Sequence, residues 1–193
     1  GDGPPLVMAM GLTPTHEIPT GWERRMLVRN AEGLGSAFRV YVVNRKPDLQ
    51  LGESMSDIAG HLVAAIEEEF GEPVFLTGTS TGGSVALQLA VDRPELVRAL
   101  VVVASAFRLG PSGRALQQEL ARRIRAGDTA GGWAAMMTEL LPTPLQRPMR
   151  PLLRRMAASM APDDPTALLV TVDAEDAFDV GDQLHRITAP TLV

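Results

Sequence analysis

Residues 6–10, 38–43, 73–77 and 99–104 form four short apolar runs, set off by glycine, proline or polar turn residues and separated by stretches with helical spacing. Continuous apolar runs of this length suit strands buried on both faces, and strands that alternate with helices call for right-handed crossovers in a mostly parallel sheet. The fold class read from this alternation is α/β, with helices flanking the sheet. Between the first two runs, Trp22, Met26 and Leu27 predict a helix over 20–32, with Gly33 and Gly35 to end it. Between the second and third, Ser54 and Asp57 have the spacing of a capping box, and Ile58, Leu62 and Ile66 recur every fourth residue up to Phe70. The third run passes directly into Gly78-Thr79-Ser80-Thr81-Gly82-Gly83 and a small-residue helix over 84–91, which Arg93-Pro94 stops.

From 107 to 183 the alternation ceases. Helical patterns lie around 116–124, 133–141 and 152–160, and no strand is read among them. So much helix between two sheet strands cannot lie in the sheet, which predicts a helical cap insertion over its carboxyl edge. Residues 190–193 read as a strand returning to the sheet. The expected organisation is a core with the Ser80 turn over 1–106, a cap over 107–183, and a return to the core over 184–193.

Composition narrows the function classes. The chain has 193 residues, with 45% hydrophobic and 21% charged, a length that fits one ordinary domain and a composition too apolar for wholesale disorder. No apolar run approaches the roughly 18 residues of a bilayer span. Cysteine is absent, which excludes disulfides and thiolate chemistry. The net charge of −5 repels nucleic acid and anionic lipid, so neither is expected as a partner. The first residues show no charged n-region followed by an apolar h-region, and cytoplasmic location is the default expectation. Composition fixes no oligomeric state.

Gly78-Thr79-Ser80-Thr81-Gly82 is a G-x-S-x-G sequence placed between a strand and a helix. Such an elbow holds its middle residue in a strained conformation, and glycines two places to either side keep the crossing chains from colliding. Ser80 would stand clear of the sheet near a helix N-terminus, where free N–H groups favour an oxyanion. The alternative is a helix N-cap serine followed by close-packed glycines. A phosphate loop would need lysine where Gly83 stands, and a dinucleotide loop would need glycine at Ser80. A second oxyanion donor could come from the loop after Met10-Gly11-Leu12, which pairs the N–H of Leu12 with that of Thr81.

With these residues in place the chain resembles the α/β-hydrolase family, in its serine-nucleophile branch with a helical cap. The resemblance rests on the GTSTGG elbow, on Arg93-Pro94-Glu95-Leu96-Val97 before a valine strand, and on Ile187-Thr188-Ala189-Pro190-Thr191-Leu192-Val193. It implies Ser80 as nucleophile, Thr81 and Leu12 as oxyanion-hole donors, and Gly11 and His16 as possible substrate contacts. It also implies that the family's first strands precede Gly1, and that its acid and histidine follow Val193. Two departures stand out: Met10-Gly11 replaces the usual His-Gly, and Asn44-Arg45-Lys46-Pro47 replaces the common aspartate and glycine-rich turn.

Of the other candidates, His61 lies within a helix, His185 precedes the late strand, and neither is read as a base. Asp173, Glu175, Asp176, Asp179 and Asp182 are read as a solvated helix end, and no metal is assigned to them. Methionines of the cap, Met136 and Met156 among them, could line an adaptable apolar pocket or simply fill core. The function expected is a serine hydrolase that needs no cofactor and cleaves a small apolar ester or related acyl substrate through an acyl-enzyme on Ser80. Carbon–carbon bond hydrolysis and perhydrolysis are variants of that chemistry. A non-catalytic small-ligand-binding protein on the same fold is the alternative.

Overall fold

The structure, a computed structural model, describes residues 2–193; Gly1, where the first expected domain begins, and the side chain of Asn30 lie outside the described residues. Five parallel strands form one sheet: β1 (Pro5–Ala9), β2 (Arg39–Val43), β3 (Val74–Thr79), β4 (Val97–Val103) and β5 (Thr191–Leu192), in the order β2-β1-β3-β4-β5. The chain therefore winds outward from β1 to β2, then returns past β1 to start β3 on its other side. This reversal opens a crevice beyond the carboxyl ends of β1 and β3, the place where open α/β sheets bind ligands. Register brings Ala9 beside Gly78, so the loop after β1 and the turn after β3 leave the sheet side by side.

Helices α1 (Gly21–Gly35), α2 (Met55–Glu69) and α3 (Thr81–Asp92) make the crossovers. The capping box of α2 forms as its spacing implies: the Ser54 hydroxyl accepts from the Asp57 N–H at 3.2 Å, and the Asp57 carboxylate accepts from the Ser54 N–H at 2.8 Å. The α2 stripe then buries Ile58, Val63 and Ile66 against Leu87 and Val91 of α3 and the sheet residues Val7, Leu76 and Leu100. This cluster is the main core.

Beyond the sheet lie α4 (Pro111–Arg125), α5 (Thr129–Glu139), α6 (Thr143–Met160) and α7 (Thr166–Asp176). Leu120, Ile124, Trp133, Ala157, Leu168 and Val172 from these four helices close on one another as a second core. The opposite side of α7 contributes Ala167, Val170 and Ala174 to the main core, so this helix joins the two.

Four readings of the sequence are corrected. Helix α1 runs through Gly33 to Gly35 instead of ending at 32, because both glycines face open space and cost only propensity there. Helix α3 starts at Thr81, directly after Ser80, instead of at 84. Helix α6 starts at Thr143 and continues through Pro148 and Pro151, ahead of the pattern read at 152–160. The acidic segment is no uniformly solvated end: Glu175 is buried on α7, at 3% exposure.

Candidate active site

The turn from β3 into α3 takes up a single residue. Ser80 has φ +53° and ψ −126°, a left-handed-side backbone that side chains other than glycine rarely adopt, and it is exposed. Its N–H still donates to the Val103 carbonyl at 2.9 Å, and its own carbonyl accepts from the Gly83 N–H at 2.7 Å. The sheet thus holds one side of the residue and the helix the other. The turn is this sharp because its neighbours lack side chains: a Cβ on Gly78 would lie 2.2 Å from the Gly82 carbonyl oxygen, and one on Gly82 would lie 2.2 Å from that of Ala9.

The loop after β1 presses on the same point. A Cβ on Gly11 would come within 3.1 Å of the Thr79 carbonyl oxygen and 3.4 Å of the Ser80 Cβ. Two features hold this loop. Leu12 packs its side chain against the second core. The other is the pair Asn44 and Arg45, at the end of β2. The Asn44 amide donates to the Thr13 hydroxyl at 3.1 Å and to the carbonyls of Glu17 at 3.2 Å and Thr15 at 3.4 Å. The Arg45 guanidinium donates to the Thr13 and Pro14 carbonyls at 2.8 and 3.1 Å. Burial lowers its pKa to about 10, so it stays charged at neutral pH. An aspartate in this turn, as the resemblance noted above implies, could not donate to those carbonyls from position 44. The departure noted in the sequence is what fastens the loop.

A cavity of about 430 Å³ opens beside the turn. Gly11, Leu12, Thr81 and Gly82 line it, together with the apolar side chains of Ile58, Leu62 and Val85 and the charged Arg45, Lys46 and Glu68. Thr81 is the first residue of α3, so its N–H lies outside the helical hydrogen-bond ladder, and the N–H of Leu12 has no backbone partner among the described residues. Ser80 itself is exposed and is not part of the lining, which begins at the next residue, Thr81.

The remaining candidates fall elsewhere. His16 is exposed in the loop before α1 and does not line the cavity. His61 also lines the cavity, and its Nε2 lies 2.8 Å from Glu53. A hydrogen bond from the Gln50 N–H, and then the one with His61, holds the Glu53 carboxyl below its usual range. His185 is exposed in a 3-10 turn at Gly181–Arg186. Among the described residues, no histidine or carboxylate hydrogen-bonds to the Ser80 hydroxyl, and no three His, Asp or Glu side chains gather as a metal site.

Glu175 is the residue the sequence reading missed. Leu168, Thr171, Val172 and Glu175 fall at helical spacing along the buried side of α7, and Glu175 extends an otherwise uncharged stripe, which was the available signal.

A family model described as "Serine aminopeptidase, S33" matches residues 49–193. The chain belongs to this family of α/β hydrolases. A protein of Stutzerimonas stutzeri, provisionally named carbamate hydrolase RutD, is 28% identical across the whole chain and 72% of its own length. A Klebsiella pneumoniae protein of the same provisional name is 37% identical over 79 residues, 41% of this chain and 30% of its own length. The chain thus spans under a third of one named relative and 72% of the other. Among solved structures, the enol-lactonase from Burkholderia xenovorans LB400 matches 99% of this chain with 72% of its own, at TM-score 0.77 and 16% identity. An esterase from Thermogutta terrifontis matches 99% with 70% of its own, at TM-score 0.70 and 22% identity. At such identities these structures establish the fold alone: a parallel sheet flanked by helices, as the alternation of apolar runs implied.

Proposed function

We propose that this chain carries the nucleophile and oxyanion hole of a serine hydrolase acting on a small, largely apolar ester. The observation that carries the reading is the backbone of Ser80: a strained, exposed serine on a one-residue turn, next to a cavity lined by Leu12 and Thr81, whose main-chain N–H groups have no backbone partner among the described residues. In this reading the Ser80 Oγ attacks the substrate carbonyl carbon as its proton passes to a histidine. The carbonyl oxygen, now negative, sits against the N–H groups of Thr81 and Leu12. Collapse of the tetrahedral species expels the leaving oxygen, which takes the proton from the histidine. Water, activated by the same histidine, then releases the acid and restores the serine. None of His16, His61 or His185 is bonded to Ser80, so the histidine and the carboxylate that orients it are assigned, by the family resemblance, to sequence after residue 193.

The apolar side chains of Ile58, Leu62 and Val85 favour a short acyl or alkyl group. The names of the two relatives favour a second reading, a carbamate in place of the ester, for which the same nucleophile and oxyanion hole serve. Both are tested in the complete protein with a fluorophosphonate probe and with paired p-nitrophenyl butyrate and p-nitrophenyl carbamate substrates. Ser80→Ala should abolish labelling and lower kcat at least about 10⁴-fold. Labelling or turnover that persists in Ser80→Ala overturns the proposal, and the ratio of kcat/KM for the two substrates decides between ester and carbamate.

A further inference from the structure

Glu175 is a buried carboxylate with no basic partner among the described residues, whereas its neighbours Asp173 and Asp176 pair with Arg125 at 2.6 Å and Arg114 at 3.5 Å. Burying an anion is costly unless donors surround it, and here three neutral donors do so. The Thr81 hydroxyl donates to its Oε2 at 2.7 Å, the Ser84 hydroxyl to its Oε1 at 2.8 Å, and the Gln117 amide to its Oε2 at 2.6 Å. The carboxylate therefore joins three helices: α7, which carries it, α4, which carries Gln117, and the first turn of α3.

That turn reads Thr81-Gly82-Gly83-Ser84. Gly82 and Gly83 are bare because the Ala9 and Met10 carbonyls and the Ser105 side chain occupy the space a Cβ would need. The turn thus has only two side chains by which its rotation about the helix axis can be held, and both are bonded to Glu175. We infer that Glu175 is a positioning residue of the oxyanion hole. Through Thr81 and Ser84 it sets the azimuth of the first turn of α3 and so the aim of the Thr81 N–H, and through Gln117 it makes that aim depend on how α4 and α7 are seated. The inference rests on the reading of Ser80 and Thr81 proposed above.

The test compares Glu175→Ala, Thr81→Val and Ser84→Ala in the complete protein, with Asp173→Asn as the control on the neighbouring exposed acid. Displacing a catalytic group by about 1 Å costs about 10²-fold in rate. Glu175→Ala should therefore lower kcat about 10- to 100-fold with KM changed less than about threefold, and amides 81–84 should exchange faster with deuterium. Thr81→Val should give part of that loss alone and little more in the Glu175→Ala background, because the two act through one hydrogen bond. Should Glu175→Ala fail to fold, the Thr81→Val and Ser84→Ala variants leave the acid in place and carry the same kcat and exchange readouts. An unchanged kcat in the folded variants, a rise in KM alone, or fully additive losses overturns the inference while leaving Ser80 as nucleophile intact. Turnover that survives Ser80→Ala removes both.

Discussion

Gly82→Ala is the sharpest probe of the turn. A methyl group there would meet the Ala9 carbonyl oxygen at 2.2 Å and that of Met10 at 2.4 Å, where contacts of 3.4 Å or more are ordinary. Both obstacles are main-chain atoms at the end of a buried strand, so the start of α3 must retreat by about 1 Å. Overpacking of this kind costs about 3 kcal/mol at the upper end of its usual range, offset by about 1 kcal/mol from the better helix propensity of alanine. A net loss of about 2 kcal/mol lowers Tm by roughly 4–8 °C in a chain of this size. The same retreat moves Ser80 and the Thr81 N–H away from Leu12, and activity should fall about 10²-fold. Gly60→Ala supplies the control, since Gly60 is exposed within α2 with nothing within 4 Å. There only propensity acts, and Tm should rise about 2–4 °C. Calorimetry and ester hydrolysis on both variants decide the matter. If Gly82→Ala gains stability as Gly60→Ala does and keeps its activity, the close approach of α3 to β1 is wrong.

Two further outcomes follow from the packing and the charges. Leu168→Ala empties the centre of the second core and should cost about 2–5 kcal/mol in urea unfolding, and a loss under about 1 kcal/mol would mean that α4 to α7 share no packed interior. Glu119, hydrogen-bonded by Arg122 and then Arg123, has its carboxyl lowered from 4.5 to about 2. A carboxylate whose folded pKa is depressed contributes stability that is present above its unfolded value and lost as pH falls through the folded one. Tm should therefore drop less steeply between pH 4.5 and 2 in Glu119→Gln than in the parent, and the difference should shrink in 1 M salt.

The sheet was legible because strands buried on both faces leave continuous apolar runs, and the turn because its glycines bracket one serine between a strand and a helix. What escaped depended on contacts between distant parts of the chain. The bonds from Asn44 and Arg45 to the loop at 13–17 span about thirty residues, and nothing local to either segment announces them. Glu175 reaches Thr81 across 94 residues. Its position on the buried stripe of α7 was readable, but the surrounding Asp173, Asp176, Asp179 and Asp182 gave the segment the look of a wet surface. The pattern read at 152–160 caught only the second half of α6: Pro148 and Pro151 argue locally against helix, yet α6 keeps its course through both while burying Leu153 and Ala157.

The backbone of Ser80 sets stability against the chemistry proposed for its hydroxyl. A serine held at φ +53° carries about 1–3 kcal/mol of strain that glycine would not. A library of variants sorted for heat resistance alone would drift toward glycine there, trading away the hydroxyl for a more relaxed chain. On the role proposed for Ser80, screens of this molecule for robustness need a selection for turnover running alongside, or their winners will be inert.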